Sequence, residues 1–145
     1  MRIMKTEKTL QNLIKEQIKL EEEIAKKLGT LEQRVDSVAA KLLIREMQLD
    51  TKKHAEILGA ALDVVGELKS FWDYTIHIDA DKHAVRRELE EHIKAEEKMM
   101  RQIEDEVKKT NDEVLKLLLT HFAEDEKRHH RNLELILKKA YKKEI

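Results

Sequence analysis

The sequence has no cysteine and no proline, and only three glycines in 145 residues. Without cysteine there is no disulfide framework, no thiolate zinc site, no iron–sulfur knuckle and no thiol nucleophile. Without proline, and with so little glycine, the many turns of an all-β fold are missing. Aromatics are scarce too: one tryptophan, two tyrosines and two phenylalanines. Neither sign of charge dominates, since 29 basic side chains stand against 30 acidic ones. Nucleic-acid binding therefore has no general electrostatic basis and is not expected. No apolar run reaches the roughly 18 residues that a membrane span needs. Residues Met1 to Lys8 are charged and carry no apolar core of a leader, so the cytoplasm is the expected compartment. No phosphate loop, nucleophile elbow or base-reading motif is present, which leaves hydrolase and nucleotide-binding readings without support.

What is abundant is charged and hydrophobic side chains, each 41% of the chain. Lysine, glutamate and leucine in that proportion make long amphipathic helices. The first apolar stripe runs Leu10, Ile14, Gln17, Glu21, Ile24, Leu28, Leu31, Val35, in alternating steps of four and three. That spacing predicts one helix from about Thr6 to Arg34. Asp36 and Ser37 offer a cap for a second helix from about Ser37 to Ser70, with Ala39, Leu43, Ile57, Ala61 and Val64 inward. From Phe71 to Lys82 the pattern breaks, and Tyr74, Ile76 and Ile78 alternate with Thr75 and His77 as in extended chain. Asp79 or Asp81 can cap a third helix, about Lys82 to Lys109, with Val85, Leu89, Met99 and Ile103 inward. Thr110 and Asn111 mark a turn before a fourth helix that ends near Tyr141, with Val114, Leu118 and Ile136 inward.

Four long helices predict a single all-α domain over 1–145, a four-helix bundle. The extended stretch before Lys82 reaches roughly 40 Å, about the length of a helix of 27 residues. It is expected to cross the bundle and leave helices two and three parallel. Its aromatics, Phe71, Trp72 and Tyr74, are expected to anchor the crossover, and a dimer interface is the other use for them.

The chain also repeats itself. When residue 16 is laid on residue 91, Glu16, Ile18, Lys19, Glu21 and Glu22 fall on Glu91, Ile93, Lys94, Glu96 and Glu97. Lys41, Leu42 and Leu43 fall on Lys116, Leu117 and Leu118, and Asp50 and His54 fall on Asp125 and His129. Two copies of one helical hairpin, about 6–70 and 82–141, account for this.

The repeat preserves polar residues on the inward stripes. Glu21 and Glu96 interrupt the apolar run, and His92 lies one turn before Glu96. Asp50, His54, Asp125, Glu126 and His129 interrupt the facing helices. Counted from the turns near Asp36 and Asn111, the carboxylates of each hairpin stand at one level if its helices are antiparallel. Buried carboxylates cost several kcal/mol unless paired, protonated or bound to metal. Carboxylate oxygen with imidazole nitrogen suits iron, manganese or zinc.

Glu126-Lys127-Arg128-His129 is a Glu-x-x-His motif, with Glu96 on the preceding helix. In this the chain resembles the ferritin-like di-iron carboxylate superfamily, and within it the erythrin domain of the rubrerythrins. The resemblance implies a dinuclear site at Glu21, His54, Glu96, Glu126 and His129, with Asp50 and His92 as further candidate ligands. It implies two iron or manganese ions, or zinc in their place, and ferrous iron oxidation or reduction of peroxide or dioxygen. Lacking a cysteine-bound electron carrier, such a protein would draw on an external electron donor, and a homodimer is the expected assembly. The chain departs from the pattern at Thr51, where the first hairpin's Glu-x-x-His would have its glutamate. Asp50, at i and i+4 from His54, is the substitute on offer. The competing reading is a metal-free helical interaction or scaffold protein that has lost the site.

Overall fold

A computed structural model describes residues 9–62, 70–73, 75, 76 and 78–142. Among these the chain is all-helical, with four long helices and no strand. They are α1 (Leu10–Arg34), α2 (Val38–Leu62), α3 (Lys82–Lys109) and α4 (Glu113–Ala140), with a short 3₁₀ turn at Phe71–Asp73. The helix ends follow the caps. Thr9 accepts from the Asn12 amide, Ser37 from the Ala40 amide at 3.2 Å, and Asp81 from the His83 and Ala84 amides. Asp112 stands just before the fourth helix and accepts from the Leu115 amide at 2.7 Å. Each cap satisfies an amide that the helix leaves without a partner, worth about 1 kcal/mol. The predicted extension of the second helix toward Ser70, with Val64, lies outside the described residues, as do Tyr74 and His77 of the extended stretch. No described helix is long and apolar enough to cross a membrane.

The chain divides into two compact units, Met1–Tyr74 and Thr75–Ile145. Each is a helical hairpin, α1 against α2 and α3 against α4. The turns are built alike. The Val35 amide returns to the Leu31 carbonyl at 3.2 Å, and the Thr110 amide to the Glu106 carbonyl at 3.2 Å. Ser37 and Asp112 then restart the chain as a helix. Such short connections force the helices of each pair to run antiparallel.

In the first hairpin polar links fix the register. Lys41 Nζ donates to the Glu32 carbonyl at 2.9 Å, Arg45 pairs with the Glu32 carboxylate at 2.7 Å, and Gln48 Nε2 donates to the Ala25 carbonyl at 3.0 Å. Buried Ala25 and Ala55 let the helices approach. The second hairpin buries larger side chains, Ile103, Leu118 and Leu119. Burial of an aliphatic side chain of that size contributes roughly 1.5–3 kcal/mol.

The contact faces differ in phase from the predicted stripes. In α1 the shielded residues are Ile14, Ile18, Glu21, Ala25, Leu28, Glu32 and Val35, whereas Leu10, Ile24 and Leu31 are exposed. Ile57 and Met99, expected inward, are exposed as well. A hairpin needs only one flank of each apolar stripe, and the other flank stays uncovered by the partner helix. The exposed flank repeats: Ile24 and Met99 are 48% and 46% exposed, and Leu42 and Leu117 are 45% and 44%.

Two helical glycines separate propensity from packing. A methyl group at Gly59 meets nothing within 4 Å, whereas one at Gly29 would stand 2.6 Å from Gln48 Nε2. Gly59→Ala should therefore stabilise by about 0.5–1 kcal/mol, some 2–4 °C in melting temperature. Gly29→Ala gains the same propensity but must push the Gln48 amide off the Ala25 carbonyl, and should gain distinctly less. Parallel thermal melts check this, and equal gains would mean that Gln48 does not hold the seat described.

Candidate metal centre

Both hairpins bring a glutamate of the first helix to a histidine of the second. In the first, Glu21 Oε2 lies 3.4 Å from His54 Nδ1. In the second, Glu96 Oε2 lies 3.8 Å from His129 Nδ1. The pairs are equivalent under the sequence repeat, so the same register is reached twice from different local sequences. Both glutamates are largely shielded and both histidines are about half-exposed.

Among the described residues, only the second hairpin brings a third potential ligand atom to its pair. Glu126 precedes His129 by one helical turn, so i and i+3 share a face, and Glu126 Oε2 lies 3.7 Å from His129 Nδ1. Glu96, Glu126 and His129 thus each present a ligand atom, all within 4.8 Å of one another. Two ligands bound across one ion at about 2.0–2.2 Å each are at most some 4.4 Å apart, so small rotamer changes close the set. Glu96 Oε2 is buried and has no hydrogen-bond partner. A carboxylate oxygen in that condition is costly, and its neighbour is a second carboxylate. Like charges 4–5 Å apart repel by about 3–4 kcal/mol at an effective dielectric near 20. A divalent cation between them removes both costs. The residues therefore fit a metal ion, with two oxygens and one nitrogen as donors and the remaining positions open to water or substrate.

The other candidates fall elsewhere. Asp50 is exposed and pairs with Lys53 at 3.4 Å on its own helix. Its counterpart Asp125 pairs with Arg128 in the same way. His92 is exposed on α3 and lies outside the three-residue group. Thr51 donates its hydroxyl to the Met47 carbonyl at 2.8 Å, one turn back in α2.

One participant goes beyond what the spacing suggests. His130 is only 22% exposed and is held by two carboxylates. Its Nε2 lies 3.1 Å from Glu97 Oε1 on α3, and its Nδ1 lies 2.9 Å from Glu134 Oε1 on α4. Glu97 adjoins Glu96 and His130 adjoins His129, so this link sets α3 against α4 at the height of the ligands. The i and i+4 spacing of His130 and Glu134 was the legible half of the signal; the bond to Glu97 requires the register. In the first hairpin the position matching His130 is Ala55, which is buried.

No family model matches the chain, and no curated protein or solved structure matches it either.

The two adjacent histidines should behave differently in metal-free protein. His130→Ala loses both close carboxylate contacts and should cost roughly 0.5–1.5 kcal/mol. His129→Ala loses only contacts of 3.7–3.8 Å and should cost less. Chelator-treated melting curves decide it, and an equal or reversed order would count against this division of roles.

Proposed function

We propose that this chain is a dinuclear metal protein of ferritin or rubrerythrin type, binding iron or manganese. Glu96, Glu126 and His129 hold one ion, and Glu21 and His54 contribute to a second. The observation that carries the reading is the Glu96–Glu126–His129 group, with a buried Glu96 oxygen that nothing else satisfies. The bound metal would supply one-electron chemistry, in ferrous iron oxidation or in reduction of peroxide or dioxygen. The protein's own share is a set of anionic oxygens, a histidine and uncovered coordination positions. Because the chain has no cysteine, electrons come from an external donor. The cytoplasm and a homodimer belong to the same reading.

We also infer a four-helix bundle made from two repeated hairpins. Each hairpin alone leaves apolar side chains exposed, among them Leu10, Leu20 and Ile57 in the first and Met99, Phe122 and Leu135 in the second. Uncovered apolar surface of that kind calls for a further layer. The twofold recurrence of the Glu–His approach supports the duplication. The crossover before Lys82 remains part of this proposal.

A second reading, a metal-free helical scaffold, draws on Thr51, whose hydroxyl is engaged with its own helix. Metal separates the two. In a bundle that binds a cation only when folded, metal adds stability as RT ln(1 + [L]/Kd), roughly 2.7 kcal/mol at a hundred times Kd. That corresponds to a rise of about 8–10 °C. Glu96→Gln should then act with opposite sign in the two states. Without metal it removes a like charge at constant shape and should be neutral or stabilising. With ferrous or manganous ion it removes a ligand and should abolish most of the rise. Paired melting curves with chelator and with metal are the measurement. An unmoved wild-type curve, with Glu96→Gln destabilising both conditions alike, would favour the scaffold.

A further inference from the structure

The two hairpins carry the same Glu–His pair but not the same ligand set. In the second, three donors converge. In the first, the position one turn before His54 is Thr51, and its hydroxyl is bonded to the Met47 carbonyl at 2.8 Å. Asp50, one helical turn before His54 on α2, is exposed and paired with Lys53. Among the described residues no group of three ligands forms in the first hairpin. A neutral hydroxyl already donating to a backbone carbonyl is a poor substitute for a carboxylate. It brings no charge, and it must give up a helix contact to turn toward an ion.

We propose that the two metal positions are functionally unequal: the second hairpin holds a resident divalent cation, while Thr51 leaves the first hairpin with a two-ligand half-site from which a divalent cation exchanges freely. This rests on the metal reading above and adds to it a division of labour. Glu96, Glu126 and His129 offer two negative charges to an ion, and Glu21 and His54 offer one. Affinity of oxygen-rich sites rises with the number of charged ligands. The resident ion therefore survives dilution, and the other comes and goes with the free ion concentration. A position that fills and empties in this way suits a cation that is turned over, whereas the resident one suits a cation that stays.

The test uses the full chain with manganous ion as probe. Metal-free protein is loaded, passed through gel filtration and analysed for bound manganese; free manganese during titration is followed by its electron paramagnetic resonance signal. Wild type should retain about one ion per chain and bind a second only weakly. Thr51→Glu completes a Glu-x-x-His motif in the first hairpin and should tighten the second binding step on the order of tenfold or more, so that about two ions are retained. Glutamate is the better helix former at that position, so the variant should keep its fold, and circular dichroism checks that it does. Thr51→Gln has the same size without the charge and should behave as wild type. Two equally retained ions in wild type would overturn the inequality while leaving the metal reading intact. No gain in Thr51→Glu, or an equal gain in Thr51→Gln, would overturn it as well. Wild type that binds no manganese at any concentration would sink both the inequality and the metal reading beneath it.

Discussion

Carboxylate placed at a helix–helix contact is the constraint around which this chain is arranged. Glu21 and Glu96 occupy positions where an aliphatic residue would give the hairpin more apolar burial. Each is instead set against a histidine of the opposite helix, at 3.4 Å and 3.8 Å. The stability of each hairpin has to come from the turns either side of that level. Hence the caps at Ser37 and Asp112, the links from Glu32 to Lys41 and Arg45, and the buried Leu118 and Leu119. Polar groups in a low-dielectric contact fix register strongly, because a slip of one turn would leave each of them without its partner.

The two hairpins meet this constraint by different means. The first uses small residues, with Gly29, Ala25 and Ala55 along the contact and Gln48 reaching to a helix carbonyl. The second uses bulk and a side-chain bridge, with Ile103 and the leucines below and His130 between Glu97 and Glu134 above. Backbone proximity sets the register in one, and the side-chain bridge through His130 sets it in the other. That the Glu–His approach survives this exchange of packing shows how strongly the register is held.

Much of this was legible in the residue order. The starts of the second and third helices were readable because Ser37 and Asp81 stand just before them as caps, and the absence of proline left nothing to interrupt the helices. That Glu96, Glu126 and His129 come together was readable because Glu126 and His129 are one turn apart and Glu96 lies at the matching distance from the turn. The phase of the contact faces was not readable. An apolar stripe records every surface a helix covers, and it does not say which flank meets the nearest neighbour, so Ile24 and Met99 were placed inward and stand exposed. The fate of Asp50 and Asp125 was hidden for a local reason. Each has a cation three residues on, Lys53 and Arg128, and a partner on the same helix face is met before a histidine.

The tightness of the turns at Val35–Ser37 and Thr110–Asp112 bears on how the chain reaches this state. Most contacts in the chain are local along the backbone, and chains with low contact order fold in microseconds to milliseconds. Little loop-closure entropy stands between the nascent helices and their first pairing. The helices of each hairpin can therefore begin to pair early, before distant parts of the chain are in place. Speed of that kind has a hazard attached to it. Apolar side chains left exposed on a hairpin that forms early, such as Leu42 and Leu117, are surfaces on which neighbouring molecules can associate during crowded refolding.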